Sequence, residues 1–288
     1  MFLLHVIILA IVQGLAELLP VSSSAHVVVA EKLMGMDPSS PQMTLLLVML
    51  HTGTMFAVIL YFWKQWRSAF FQSALAFRRF ALLLVLATAI TGVVGEALIK
   101  IIEKFWFHSA PHAEVEQLFS HLELIAPALA CVGVLIIIAS MFEKRSSSST
   151  TDGSGLEVKQ AGLIGAVQGL CLPFRGFSRS GATISTGMLA GVAKVRAEEF
   201  SFALAVVLTP PVVVREALRL IRAEHINGGA SLASAMVPST VGAFCAFLAG
   251  LVALKWLSRW LEAGRWYLFG IYCLIAAVAV AILHHAGY

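Results

Sequence analysis

Six apolar runs, each close to the length needed to cross a bilayer, limit what this chain can become. They cover residues 43–63, 80–101, 124–142, 200–220, 236–254 and 266–283. A helix rises about 1.5 Å per residue, so about 20 residues cross the ~30 Å hydrocarbon core of a bilayer. Hydrocarbon offers the backbone no hydrogen-bond partner, so apolar runs of this length are predicted to be helical. The composition agrees: the chain is 12% charged, against about 25% for a soluble domain, and its mean hydropathy is +0.88. The net charge of +4 is read through loop charge and membrane orientation, not as affinity for nucleic acid.

Shorter apolar segments precede the first and fourth runs, and both are interrupted. Residues 4–34 are split at Pro20, and residues 160–195 at Pro173 and Gly176. The two breaks resemble each other. Val12-Gln13-Gly14-Leu15 leads to Pro20 and Ser22-Ser23-Ser24; Val167-Gln168-Gly169-Leu170 leads to Pro173 and Ser178-Arg179-Ser180. Polar groups inside apolar segments are costly and mark function. A segment too short to cross twice, broken at proline, reads as a re-entrant pair that enters and leaves by one face. Each half, 1–145 and 159–288, then carries one such pair and three spans, with a serine-rich linker at 146–158. Three crossings are an odd number, so the second half is inverted relative to the first. The expected fold is an all-α integral membrane protein with an inverted-topology repeat, each half a re-entrant pair plus three transmembrane helices. Two ordinary kinked spans per pair are the alternative.

Placing the loop after the first span inside puts twelve Lys and Arg on the cytoplasmic face, from Lys64 and Arg67 to Arg259 and Arg265. Five fall outside, Lys100, Lys104, Arg215, Arg219 and Arg222. By the positive-inside rule this is the expected orientation, with the first break dipping in from the outer face. No basic stretch precedes Gln13 and Glu17, so the apolar N-terminus is expected to be retained structure. Cys131, Cys171, Cys245 and Cys273 lie in apolar segments without metal-type spacing and read as small buried hydrophobes.

The breaks carry the chemistry. Gln13 and Glu17, four residues apart, share a helix face. After Pro20, Ser22, Ser23 and Ser24 open a new helix, with His26 close behind. A helix N-terminus offers N–H donors and the positive end of a dipole, which suits anions. The second break repeats this in Gly176-Phe177-Ser178-Arg179-Ser180-Gly181-Ala182-Thr183. There Arg179 adds a planar fork that matches phosphate oxygens. Two helix starts and an arginine converging on one point describe a cradle for a strongly anionic group. Glu17 and Gln13 would hold a hard divalent cation, Mg²⁺ or Ca²⁺. Ser23 as nucleophile with His26 as base implies phosphoryl transfer to water. A structural Glu17–Arg179 salt bridge is the competing account, and it leaves the clustered hydroxyls and histidine unexplained.

At these residues the chain resembles the undecaprenyl-diphosphate phosphatase family, the bacitracin-resistance membrane phosphatases. The likeness rests on an (E/Q)xxxE motif at Gln13–Glu17, a PVSSxxH stretch from Pro20 to His26, and a PGxSRSxxT-like motif ending at Thr183. It extends over essentially the whole chain. The resemblance implies hydrolysis of undecaprenyl diphosphate to undecaprenyl phosphate and inorganic phosphate. That reaction recycles the lipid carrier of peptidoglycan synthesis and confers bacitracin resistance. The resemblance also implies a divalent cation and a bacterial inner-membrane site open to the periplasm. Glu17, Ser23, His26 and Arg179 are carried over as catalytic; Ser178, Ser180, Thr183 and Arg175 as phosphate-binding; Gln13 and Glu17 as metal-binding. Either Ser23 or His26 is the nucleophile on this likeness. Two residues depart from the pattern: Gln13 stands where a carboxylate is common, and Arg175 where the motif has proline. The expected partners are a polyprenyl diphosphate lipid, the bilayer and, as an option, a second copy in a homodimer; nucleic acid is not among them.

Other classes fit less well. The SRxxxxxHxxxD motif of acid-phosphatase-like lipid phosphatases fails, because Ser185 stands where its histidine belongs. A lipid carrier would use the same broken repeat, but it needs binding groups and not a nucleophile with a base. His108 and His112 are four residues apart without a third ligand nearby and read as an ordinary polar loop. His51, near one end of the first span, is left outside the catalytic set.

Overall fold

The computed structural model describes residues 2–36, 41–106, 122–146, 156–174, 176–227 and 230–286. Arg175, His108 and His112 lie outside the described residues. Among the described residues every regular element is a helix. The first five are α1 (Phe2–Leu18), α2 (Ser23–Leu33), α3 (Pro41–Phe70), α4 (Ala74–Trp106) and α5 (Leu122–Ser146). The second five are α6 (Val158–Cys171), α7 (Arg179–Leu189), α8 (Lys194–Asn227), α9 (Ala230–Glu262) and α10 (Tyr267–His285). Two short helices and three long ones thus occur twice in succession.

Six helices are long and apolar enough to cross a membrane: Met43–Phe70, Ala74–Lys104, Glu123–Phe142, Lys194–Arg215, Met236–Trp260 and Tyr267–His285. All six expected spans are present, and this is a multi-pass membrane protein. The helices overrun the apolar runs because hydropathy sees only the lipid-facing stretch, while polar helix ends continue beyond it. Leu82, Val93, Val237 and Ile275 are 67%, 70%, 72% and 64% exposed, surface that hydrocarbon and not water would cover. The fourth span holds Pro210 and Pro211, where a kink is expected from sequence; α8 is helical through both.

The two short arms after the breaks end alike. In α2, Gly35 has φ +63°, its N–H bonds the Lys32 carbonyl at 3.1 Å, and the Met36 N–H bonds Glu31 at 3.0 Å. In α7, Gly191 has φ +82°, with the N–H groups of Gly191 and Val192 on the carbonyls of Met188 and Gly187 at 3.0 and 2.9 Å. This paired capping closes a helix around a left-handed residue, where glycine is favoured. It explains why the second arm stops at Leu189 and not near residue 195: Gly191 turns the chain before apolarity ends.

The chain forms two compact units, and neither is a sequence half. One comprises Met1–Leu19, Ser23–Lys64 and Ala205–Arg259; the other Pro20–Ser22, Gln65–Leu204 and Trp260–Tyr288. Repeat and compact unit are different divisions of the same chain. The core of the first unit joins Val6, Leu9 and Ala10 of α1, Val27 of α2, Met43, Leu46 and Leu50 of α3, and Ala246 of α9. The α1 helix lies so close to α9 that a Cβ on Gly14 would meet the Ala249 Cβ at 2.6 Å and the Ala246 carbonyl at 2.7 Å. In the second unit, a Cβ on Gly169 of α6 would meet Val94 Cβ of α4 at 2.8 Å and the Thr91 carbonyl at 2.9 Å. Helices α5 and α10 touch reciprocally: a Cβ on Gly133 would lie 2.9 Å from the Gly270 carbonyl, and one on Gly270 2.7 Å from the Gly133 carbonyl. Small residues permit these approaches, which is how helices associate where lipid removes the hydrophobic drive. Of the four cysteines only Cys273 is buried, and Cys131 is exposed.

Candidate active site

The first break is built from α1 and α2. Leu18 closes α1, and Ser22 stands between the helices with φ +69°, a left-handed conformation rare for a residue with a side chain. Strain of this kind gathers at functional turns. Ser22 is buried at 4% exposure. The turn brings the first residue of α2 back onto the last turn of α1: the Ser23 hydroxyl donates to Glu17 Oε2 at 2.5 Å. Hydroxyl-to-carboxylate bonds are short because the acceptor is charged. Gln13, buried, donates its Nε2 to the same oxygen at 3.1 Å. Gln13, Glu17 and Ser23, singled out from sequence, are therefore joined. His26 lies within α2, three residues after Ser23.

Sequence reasoning left out one group that the fold brings here. His51 of α3 places Nε2 3.7 Å from Glu17 Oε2, while its Nδ1 lies 2.8 Å from the Leu47 carbonyl. Its signal was the cost of an imidazole within an apolar span.

The second break is built from α6 and α7. Ser178 caps α7, its Oγ accepting the Gly181 N–H at 3.3 Å. The Ser178 and Ser180 hydroxyls are 3.4 Å apart, and both residues are buried. Arg179 is the first residue of α7, at the N-terminal end of the helix, where the positive end of its dipole lies. Thr183 looks inward: its hydroxyl donates to the Arg179 carbonyl at 2.7 Å and lies 2.6 Å from Ser201 Oγ of α8. That contact seats α7 on α8. Within this unit the Pro20–Ser22 turn packs against the same helix start, since a Cβ on Gly181 would come within 3.2 Å of the Pro20 carbonyl. Cys273 of α10 donates its thiol to that carbonyl at 3.3 Å. The turn that opens the serine motif thus rests on the helix that carries the arginine motif.

Gln168 occupies the place in the second break that Gln13 has in the first, and does something else. Its Nε2 donates to Thr91 Oγ1 of α4 at 3.3 Å, and Thr91 Oγ1 lies 2.8 and 2.9 Å from the carbonyls of Ala87 and Gly165. Leu172 stands where Glu17 would be, against Gly95 of α4.

Among the described residues no three His, Cys, Asp or Glu gather as a ready metal cage. The donors near one another are the Glu17 carboxylate, the Gln13 amide and the His51 imidazole. That set fits an ion that takes few protein ligands and completes its shell with substrate phosphate and water.

Fold and site together define a multi-pass membrane protein whose polar helix starts are chemically suited to phosphate. The sequence profile of the family described as bacitracin resistance protein BacA matches residues 6–279, and the chain belongs to that family. It is 57% identical over 286 residues to undecaprenyl-diphosphatase 2 of Acinetobacter baylyi, covering 98% of each chain. It is 32% identical to undecaprenyl-diphosphatase 2 of Burkholderia orbicola, covering 96% of this chain and 95% of that one. With the undecaprenyl-diphosphatase of Rhodopirellula baltica it shares 31% identity over 98% of both.

Proposed function

We propose that this protein is a membrane phosphatase that hydrolyses undecaprenyl diphosphate to undecaprenyl phosphate and inorganic phosphate. It thereby recycles the lipid carrier of peptidoglycan synthesis and confers bacitracin resistance. The observation that carries the reading is the Ser23 hydroxyl donated to the Glu17 carboxylate at 2.5 Å, in a chain that matches diphosphatases from end to end. A carrier has no use for a hydroxyl already paired with a proton acceptor.

The chemistry follows from the groups present. Ser23 Oγ attacks the terminal phosphorus, the bridging P–O bond breaks, and undecaprenyl phosphate leaves. Glu17, already accepting the Ser23 hydrogen, takes the proton. Water then hydrolyses the phosphoserine, with His26, one turn along α2, as its base. Arg179 and the N–H groups at the start of α7 bind the phosphate oxygens and stabilise the charge that builds on them. Ser178 and Ser180 shape that helix start, and Thr183 holds it through Ser201. A divalent cation held by Glu17 and Gln13 would neutralise diphosphate charge when bound.

The inverted repeat is part of the same proposal. In support, the Gln-Gly-Leu helix of each half packs on the second long helix of the other half, α1 on α9 and α6 on α4. The third long helices meet reciprocally at Gly133 and Gly270, as a two-fold relation between the halves requires. Helices α2 and α7 then dip into the bilayer of the bacterial inner membrane, with the first break open to the periplasm.

The test is phosphate release from undecaprenyl diphosphate by the purified protein in detergent, with and without chelator. Chelator-sensitive release is expected, and its absence from the wild type would sink the proposal. In His26→Ala a phosphoenzyme should accumulate that is acid-stable and base-labile, as phosphoserine is. Acid-labile phosphate in Ser23→Ala would instead make His26 the nucleophile.

A further inference from the structure

We propose that Trp266 and Cys273 are positioning residues: from one face of α10 they hold the Pro20–Ser22 turn on α7, and so set where the next residue, Ser23, stands. The inference deepens the phosphatase reading and rests on it for the role of Ser23.

The turn has to be held from outside itself. Ser22 keeps a left-handed φ of +69°, and such backbone persists only where the surroundings over-determine it. Pro20, Val21 and Ser22 are all buried. The Pro20 carbonyl is therefore shielded from water and needs a donor within the protein. The Cys273 thiol supplies one at 3.3 Å, from 253 positions away in the chain. A thiol is a weak donor, so its hold on the turn depends on α10 being fixed in place.

Two neighbours fix it. Helix α5 presses on Cys273 itself: a Cβ on Gly133 would lie 3.1 Å from the Cys273 Cβ. Helix α7 is gripped at the start of α10, where Trp266 donates its indole N–H to Ser185 Oγ at 3.1 Å. Both residues of that bond are fully buried. Trp266 and Cys273 are seven residues apart, so they share a helix face about 10 Å apart along α10. Ser185 and Gly181 are one turn apart on α7, and the Pro20 carbonyl lies 3.2 Å from where a Gly181 Cβ would be. Helix α10 thus meets α7 directly at Ser185 and through the turn at Gly181. Trp266 sets the height of α10 along α7, and Cys273 passes that height to the turn. Neither residue has a step in the chemistry; each acts through the placement of Ser23.

The experiment uses the full-length protein in detergent micelles. The infrared S–H stretching band of Cys273 is isolated as the difference between wild type and Cys273→Ala. It should lie at the lowered frequency of a hydrogen-bonded thiol, and Trp266→Phe should move it toward the free-thiol frequency. A free-thiol band in the wild type, or a band that Trp266→Phe leaves unmoved, would overturn the proposal. Phosphate release from undecaprenyl diphosphate is measured on the same preparations. Cys273→Ala and Trp266→Phe should each lower kcat about three- to tenfold, the range of one neutral hydrogen bond, with KM unchanged. Cys273→Ser differs from the alanine variant only by a donor, and it should return kcat to roughly the wild-type value. Equal kcat in the alanine and serine variants would show that Cys273 only fills space, which also overturns the proposal. A wild type with a bonded, Trp266-sensitive thiol but no phosphate release defeats only the phosphatase reading, and leaves α10 as the support of the turn.

Discussion

Ser23 and Arg179 hold the same position in two matching helices. Each is the first residue of an eleven-residue helix, each follows a buried serine, and each helix is closed by a glycine in the left-handed region. One start carries a hydroxyl paired with a carboxylate, the other a guanidinium. In the helix before each, Gln13 turns to Glu17 while Gln168 turns to Thr91. The scaffold repeats and the chemistry does not. On the proposed mechanism, a duplicated frame presents nucleophile and anion grip in equivalent places because helix N-termini serve both.

The largest effects should come from the two unequal residues. Ser23→Ala is expected to lower kcat by at least ~10³-fold, as removal of an activated nucleophile does. Arg179→Ala should lower it by about 10²- to 10³-fold, the cost of one charge-stabilising donor. Steady-state phosphate release measures both, and a wild-type rate in either would dissolve the division of labour. The equal residues test the shared scaffold. Gly14→Ala and Gly169→Ala each force a methyl group into a neighbouring helix, so each should cost about 1–3 kcal/mol. Melting in detergent should show similar drops in Tm for both; a drop in one alone would break the equivalence. The smallest effects separate the two glutamines. Gln13→Leu should reduce kcat at least about tenfold, since a hydrogen bond to a charged group is worth roughly 1.5–3 kcal/mol. Gln168→Leu should leave kcat within twofold and shift stability by no more than about 1 kcal/mol, because an apolar side chain of similar size replaces a buried amide whose Oε1 has no hydrogen-bond partner among the described residues.

The spans were legible because hydropathy and length alone decide them. The breaks were legible because proline and serine interrupt apolar segments at two matching places. Helix ends were less so: α7 stops at Leu189 before the turn at Gly191, and only the left-handed conformation there distinguishes this glycine from the apolar residues around it. The Glu17–Ser23 pairing was half visible, since Ser23 and Glu17 were both singled out but their contact depends on the Ser22 turn. His51 was passed over because its partner lies 34 positions away in the chain, beyond any local pattern. Thr183 was singled out through its motif, but its contact with Ser201 was not visible, because Ser201 sits on another helix.

The eleven-residue length of α2 and α7 has a mechanical consequence. Such a helix rises about 16 Å, half the thickness of the hydrocarbon layer. In the proposed re-entrant arrangement its glycine end stands at the membrane surface and its N-terminal end near the middle. The lipid substrate then keeps its tail in oil while its headgroup sinks to the catalyst, so no greasy chain has to be lifted into water. Turnover should accordingly follow bilayer thickness, slowing in long-chain vesicles where the headgroup must travel further from the surface.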